Sequence, residues 1–235
     1  MKYKGIFFDM DGTLLPMDTD GFTKAYISLL CKKLYPLGVN PDDMVKGLWK
    51  GVGYMVKNDG SSMNIDVFWK AYAEHVNVPR DKVEPVCDEF YHNEFKMVKD
   101  TLGENPLAVE AVKEAHKKAE HVVLATNPLF PFAAQDTRME FVGLSRDDFD
   151  YVTAYDNSMY CKPNPQYYVW LLKMLNIKAE ECLMIGNDEY EDMYAAGCIG
   201  MDTYLVTDCL LKDDKHPYTG KSGTFGEMLE YLKSL

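Results

Sequence analysis

The feature that most constrains this chain is a recurrence of short apolar runs, each ending in polar or acidic residues and separated from the next by residues at helical spacing. Residues 4–9 form the first run, which passes through Phe7 and Phe8 into an acidic turn containing Asp9, Asp11 and Gly12. Residues 121–125 form the second, ahead of Thr126 and Asn127. Residues 151–154, 182–185 and 203–206 complete the set. Between them the spacing predicts helices over 106–118, 130–141, 164–175 and 189–196. Apolar runs too short for helices, alternating with amphipathic helices, point to an α/β fold: a five-stranded parallel sheet covered on both faces.

One region breaks the alternation. From residue 17 to 99 the apolar positions follow helical spacing throughout. Phe22, Tyr26, Leu29 and Leu30 share one face, Ile65, Phe68, Trp69 and Tyr72 another, and Val83, Val86 and Phe90 a third. Breaks fall near Gly38 to Pro41, near Asn58 to Ser62 and at Pro79, where turn-forming residues cluster. The expected organisation is a core formed by residues 1–16 and 100–235, with an all-helical unit of residues 17–99 inserted after the first strand.

Composition narrows the functional classes. At 235 residues and 47% hydrophobic the chain can bury a substantial core. No apolar stretch approaches the roughly 20 residues of a membrane span, and residues 1–4 leave no room for a signal peptide. A cytoplasmic protein that is a monomer or weak dimer is expected. A net charge of −12 repels nucleic acid and anionic membranes. It also opposes a phosphate ligand, so a phosphate site would need its own local positive charge. Six dispersed cysteines without a CxxC pair read as reduced thiols, and five histidines show no metal-ligand spacing. Trp49, Trp69 and Trp170 lie in helical patterns and read as core residues.

In parallel sheets ligands bind beyond the carboxyl ends of the strands. Four such ends carry chemistry here: Asp9 and Asp11, then Thr126 and Asn127, then Lys162 in the loop after the third run, then Asp188 and Asp192. Each has an ordinary explanation. Asp11 with Gly12 makes a turn, Asp188 with Glu191 makes a helix N-cap, Lys162 before Pro163 is a loop lysine, and Thr126 ends a strand. All of them together, each at a strand end, are hard to ascribe to turns and caps. Converging carboxylates repel unless a hard divalent cation compensates them, and magnesium suits an all-oxygen set. With a lysine and a hydroxyl added, the group is equipped for phosphoryl transfer to a carboxylate.

These residues closely resemble the four motifs of the haloacid dehalogenase superfamily: Asp9-Met10-Asp11-Gly12-Thr13, Thr126-Asn127, Lys162-Pro163 and Gly186-Asn187-Asp188 with Asp192. The resemblance implies a Rossmann-like core with residues 17–99 as a cap. It implies that Asp9 is the nucleophile and a magnesium ligand, and that Asp11 is the general acid and base, its carbonyl touching the metal. Thr126, with Asn127 beside it, would bind the phosphoryl group, and Lys162 would stabilise that group and the nucleophile. Asp188 would ligate the metal, with Asp192 as a further ligand or its water-mediated support. Asn187 departs from the acidic residue often found after the glycine of the fourth motif. The implied activity is a magnesium-dependent phosphatase acting on a small phosphorylated metabolite. The alternatives are a phosphomutase, a phosphonate hydrolase and a non-catalytic binder of phosphate or magnesium. Substrate choice is expected in the loop bearing Asn58, Ser62 and Asn64, whose other reading is a solvated turn between helices.

Overall fold

The computed structural model describes residues 2–235. Its centre is one parallel sheet built from β1 (Gly5–Phe8), β2 (His121–Leu124), β3 (Tyr151–Val152), β4 (Cys182–Gly186), β5 (Asp202–Val206) and β6 (Lys221–Gly223), in the order β3-β2-β1-β4-β5-β6. Alternation along the inner strands explains why they read as continuous apolar runs. Ile6 and Phe8 of β1 pack into one cluster with Leu183 and Ile185 of β4, while Phe7 and Met184 point into the opposite one. Both faces are therefore buried, and every inner position demands an apolar side chain.

Helices α5 (Ala108–Lys118) and α9 (Phe225–Ser234) cover the first face through Ala111, Val112, Met228 and Leu232. The second face is covered by α7 (Gln166–Leu175) and by α8, which opens as a π-turn, Glu189–Tyr194, before its last residues, Ala195–Gly197, become α-helical. Helix α6 (Phe132–Phe141) lies between the sheet and the helical segment.

The sequence-based count of five strands falls one short. β6 has the sequence Lys-Ser-Gly and lies exposed at the sheet edge, paired with β5 through Val206 and Gly223. A short, polar edge strand carries no apolar signal, which is also why it resists pairing with other chains. Helices α5, α6 and α7 each begin two residues later than the spacing predicts.

Within residues 17–99 the structure contains helices α1 (Thr19–Leu34), α2 (Pro41–Val56), α3 (Asn64–Tyr72) and α4 (Arg80–His92), followed by a 3-10 stretch Glu94–Thr101. Their apolar faces meet in an aromatic cluster. Tyr26 packs against Phe90, Tyr91 and Phe95, and Tyr26 Oη and Tyr91 Oη are 2.9 Å apart. The cluster does not stop at the segment's edge, because Phe130 lies 5.3 Å from Tyr26, ring to ring, and Ala134, Tyr155 and Cys161 share the same core. Among the described residues no helix is long and apolar enough to cross a membrane.

Candidate active site

β1 is the point from which the chain builds outward in both directions, to β2 and β3 on one side and to β4, β5 and β6 on the other. Such a switch point splays the loops at the carboxyl ends and leaves a crevice between them. Asp9 follows β1 directly. Its amide donates to the Ile185 carbonyl at 2.9 Å, which seats it between β1 and β4, and only 7% of its surface is exposed.

The anchor of the site is Lys162, whose side chain has no exposed surface. Its Nζ donates to Asp9 Oδ1 at 2.8 Å and to Asp192 Oδ1 at 2.6 Å. Burial works against the ammonium, but the Asp192 and Asp9 carboxylates outweigh it and hold its pKa well above the ordinary lysine value. Asp192 uses its other oxygen to accept the Asp188 amide at 3.1 Å, so both of its oxygens are engaged. Asp192 thus borders the cavity with both oxygens already committed to protein partners. The geometry also explains Gly186, because a Cβ there would collide with the Asp192 carboxylate.

Asp188 caps the π-turn by accepting the amides of Tyr190 and Glu191 through Oδ1 alone, at 2.8 and 2.9 Å. The N-cap reading of Asp188 is therefore correct and still leaves Oδ2 uncommitted. Asn187 locks the neighbouring loops together: it accepts from Thr13 Oγ1 at 3.0 Å and donates to the Cys209 carbonyl at 2.7 Å. A carboxylate could not make the second bond, which accounts for asparagine here. Gly12, at φ 87°, completes the fit, since a Cβ there would strike the Asn187 amide.

Asp11 meets a partner that sequence reading missed. Arg138 of α6, with no exposed surface, pairs with Asp11 Oδ2 and with Gln135 Oε1, and its guanidinium lies over the Phe130 ring. Asp11 Oδ1 is buried without a hydrogen-bond partner. Burial raises the Asp11 pKa, while Arg138 pulls it back.

A cavity of about 270 Å³ brings Asp9, Asp11, Thr126, Asn127, Asp188 and Asp192 together beneath residues of α1 and α2. Thr126 is fixed by its carbonyl, which accepts from Thr153 Oγ1 at 2.7 Å and Tyr167 Oη at 2.9 Å. Asn127 donates to Glu191 Oε2 at 2.9 Å and has its Oδ1 buried without a partner. Trp49, read from sequence as core, instead lines this cavity with 51% of its surface exposed.

Asn58, Ser62 and Asn64 are not among the cavity's lining residues. Asn58 Nδ2 donates to Asn64 Oδ1 at 2.8 Å and to the Ser62 carbonyl at 2.9 Å, and Asn64 Nδ2 reaches Cys161 Sγ at 3.3 Å. Their polar groups knit the α2–α3 connection to the loop carrying Lys162. Asn58 and Asn64 are buried, so the solvated-turn reading does not describe them either.

The donor set suits magnesium. Only oxygen ligands face the cavity from Asp9, Asp11 and Asp188, and no lysine or arginine is among its lining residues. Among the described residues no three acidic, histidine or cysteine side chains close on one point. An ion held there would rely on one or two carboxylates plus water and substrate oxygens, which is how magnesium is commonly bound.

The sequence matches the haloacid dehalogenase-like hydrolase family over residues 3–200. Pyrophosphatase PpaX of Bacillus thuringiensis is 25% identical over 209 residues, covering 88% of this chain and 84% of that protein. A glyceraldehyde 3-phosphate phosphatase of Pyrococcus furiosus is 29% identical over 115 residues, 48% of this chain and 45% of the archaeal one. That match spans under half of each protein. Among solved structures, an HAD phosphatase from Thermococcus onnurineus superposes with a TM-score of 0.60 at 19% identity, over 97% of both chains. CbbY of Rhodobacter sphaeroides, solved with phosphate, gives 0.59 at 16% identity over 96% of both. At these identities the structural likeness concerns the fold.

Glu191 offers a test of the site's electrostatics without reference to turnover. Burial pushes its carboxyl up to about 7, with Asp188 adding to the shift and Lys162 opposing it. The folded pKa thus lies above the unfolded value of roughly 4.3, so ionisation opposes folding. The cost is absent below the unfolded pKa and complete above the folded one. Glu191→Gln keeps an acceptor for Asn127 and removes the cost. In metal-free protein the variant should melt higher than wild type near pH 8, by a smaller margin near pH 5, and about equally at or below about pH 4. Equal offsets across this range would show that the carboxyl is solvated.

Proposed function

The chain belongs to the haloacid dehalogenase-like hydrolase family, and on that footing we propose that it is a magnesium-dependent phosphatase of a small phosphorylated metabolite, working through an aspartyl-phosphate on Asp9. The observation that carries this reading is the state of Asp9. One oxygen is held by a buried ammonium, while the other makes no protein hydrogen bond among the described residues, and the residue lines the cavity. Fixed in place by the Lys162 ammonium, this carboxylate is a positioned nucleophile. The names of the relatives, a pyrophosphatase and a glyceraldehyde 3-phosphate phosphatase, agree with phosphoryl chemistry.

In the proposed reaction the free Asp9 oxygen attacks phosphorus as the bond to the alcohol oxygen breaks. Asp11 delivers a proton to that oxygen, then takes one from the water that attacks the aspartyl-phosphate, releasing phosphate and restoring Asp9. In this reading the Thr126 hydroxyl and the Asn127 backbone amide would donate to phosphoryl oxygens, since the Asn127 side-chain amide is engaged by Glu191 and the Lys162 carbonyl, and Lys162 would balance charge on Asp9 in both steps. Magnesium, held by Asp9, the Asp11 carbonyl and Asp188 with Asp192 behind them, would neutralise phosphoryl charge. Residues 17–99 would act as the cap that excludes water.

A halide leaves without a proton, so dehalogenation gives Asp11 and its arginine no task. Phosphonate hydrolysis through a lysine Schiff base would need a lysine at the cavity, and none lines it. A non-catalytic binder has no use for an acid beside the nucleophile.

Asp9→Asn keeps an acceptor for Lys162 and should keep the fold, with some loss of thermal stability, while reducing turnover of p-nitrophenyl phosphate to background; a substantial residual rate without deamidation would sink the role of Asp9. Treatment with a chelator should abolish activity, with magnesium restoring it, and full activity in excess chelator would remove the metal from the reaction. Arg138, as the residue that orients Asp11, should matter most when the leaving group is poor. In Arg138→Met, kcat/KM for an alkyl phosphate should fall on the order of 100-fold, in the range of a lost general acid, and far less for a nitrophenyl ester. Equal losses on both esters would mean that Arg138 acts only through the fold.

A further inference from the structure

Asp9, Asp11 and Lys162 attend to the phosphoryl group, so the rest of the cavity must distinguish one alcohol from another. Its far wall is built by α1 and α2. Phe22 and Ile27 come from the first, Leu48, Trp49 and Val52 from the second, and Phe130 closes the side toward Arg138. Trp49 is the informative member: a tryptophan with 51% of its surface exposed on the wall of a reaction cavity is surface available for contact with a bound group. Polar atoms on this wall are few, chiefly the hydroxyls of Thr19 and Thr23, four residues apart on α1.

Charge decides what this wall can hold. No lysine, arginine or histidine is among the residues lining the cavity, whereas Asp11, Asp188 and Glu191 all border it. The two nearby cations are fully buried and already engaged, Lys162 by Asp9 and Asp192 and Arg138 by Asp11. Lys50, next to Trp49 in sequence, turns to Glu74 and lies over the Tyr54 ring. A second anionic group on the substrate would lose its water here, face carboxylates and find no counter-charge from a protein side chain.

We infer that the substrate is a phosphomonoester of an uncharged, mainly apolar alcohol, aromatic or branched aliphatic, whose hydrocarbon part lies against Trp49, Val52 and Ile27. The inference rests on the phosphatase reading above. It separates this chain from relatives named for pyrophosphate and glyceraldehyde 3-phosphate. Pyrophosphate is the clearest contrast, since its leaving group is itself an anion.

The test is kcat/KM of the full chain with magnesium on 2-phenylethyl phosphate, glycerol 3-phosphate, 2-phosphoglycolate and pyrophosphate. The first three share a primary alkyl leaving oxygen, so differences among them report recognition. 2-Phenylethyl phosphate should exceed 2-phosphoglycolate and pyrophosphate by about 100-fold or more. Trp49→Ala, at a half-exposed position, should cost 2-phenylethyl phosphate on the order of 10-fold and leave glycerol 3-phosphate nearly unchanged. Val52→Lys should move preference toward 2-phosphoglycolate. Preference of the wild type for either charged substrate, or equal losses on all substrates in Trp49→Ala, would overturn the inference and leave the phosphatase reading standing. No turnover of these four or of p-nitrophenyl phosphate would overturn both.

Discussion

The site is organised by one buried ammonium. Lys162 cannot be withdrawn from water without partners, and Asp9 and Asp192 are those partners, one from the end of β1 and one from the turn after β4. Three loops distant in sequence are thereby held to one geometry. Much else follows as accommodation. Gly186 must lack a side chain so that Asp192 can fold back beneath the strand end. The helix after β4 opens as a π-turn, and its wider spiral carries Asp188 at its cap and Asp192 on its inner side. Removing the lysine alone would leave two carboxylates facing each other with little water, a far larger disturbance than the loss of one ion pair.

If the ligand is the phosphate ester proposed above, the same lysine resolves the tension between it and a chain of net charge −12. Long-range repulsion falls off within about 8 Å at physiological ionic strength. A phosphoryl group at Asp9 therefore responds mainly to its immediate surroundings. There, on the proposed reading, the protein would offer a cation from behind, amide and hydroxyl groups at Thr126 and Asn127, and carboxylates to hold a second cation in front. The acidic exterior acts chiefly on encounter with other macromolecules.

The strands were legible because burial on both faces forces apolar side chains at every inner position, and the candidate site residues stood out because four strand ends break that rule. β6 was not, since an exposed edge of three residues places no demand on its sequence. α9 carried readable signals, a capping box of Thr224 and Glu227 and buried Phe225, Met228 and Leu232, which the run-by-run reading did not reach. Arg138 was hidden for another reason. It lies on a helix, and a lone arginine at helical spacing reads as a solvated face; only the fold turns that face toward Asp11. The loop at Asn58 and Asn64 shows the reverse failure. Turn-forming residues suggest exposure, yet both side chains are buried in a network reaching Cys161.

Arg138 also ties the chemistry to the helical segment. Its guanidinium holds Asp11 on one side and lies over Phe130 on the other, and Phe130 packs on Tyr26 of α1. Helix α6 is fastened to α4 at the same level, where Thr137 Oγ1 donates to the Tyr91 carbonyl at 2.9 Å. Tyr26 and Phe130 line the cavity themselves. The residues that set the Asp11 side chain are thus also wall of the cavity. Close packing leaves the aromatic rings little free volume, so Arg138 has little room to take another position. If Asp11 is the acid of the proposed reaction, its placement rests on packing that the helical segment contributes through Tyr26.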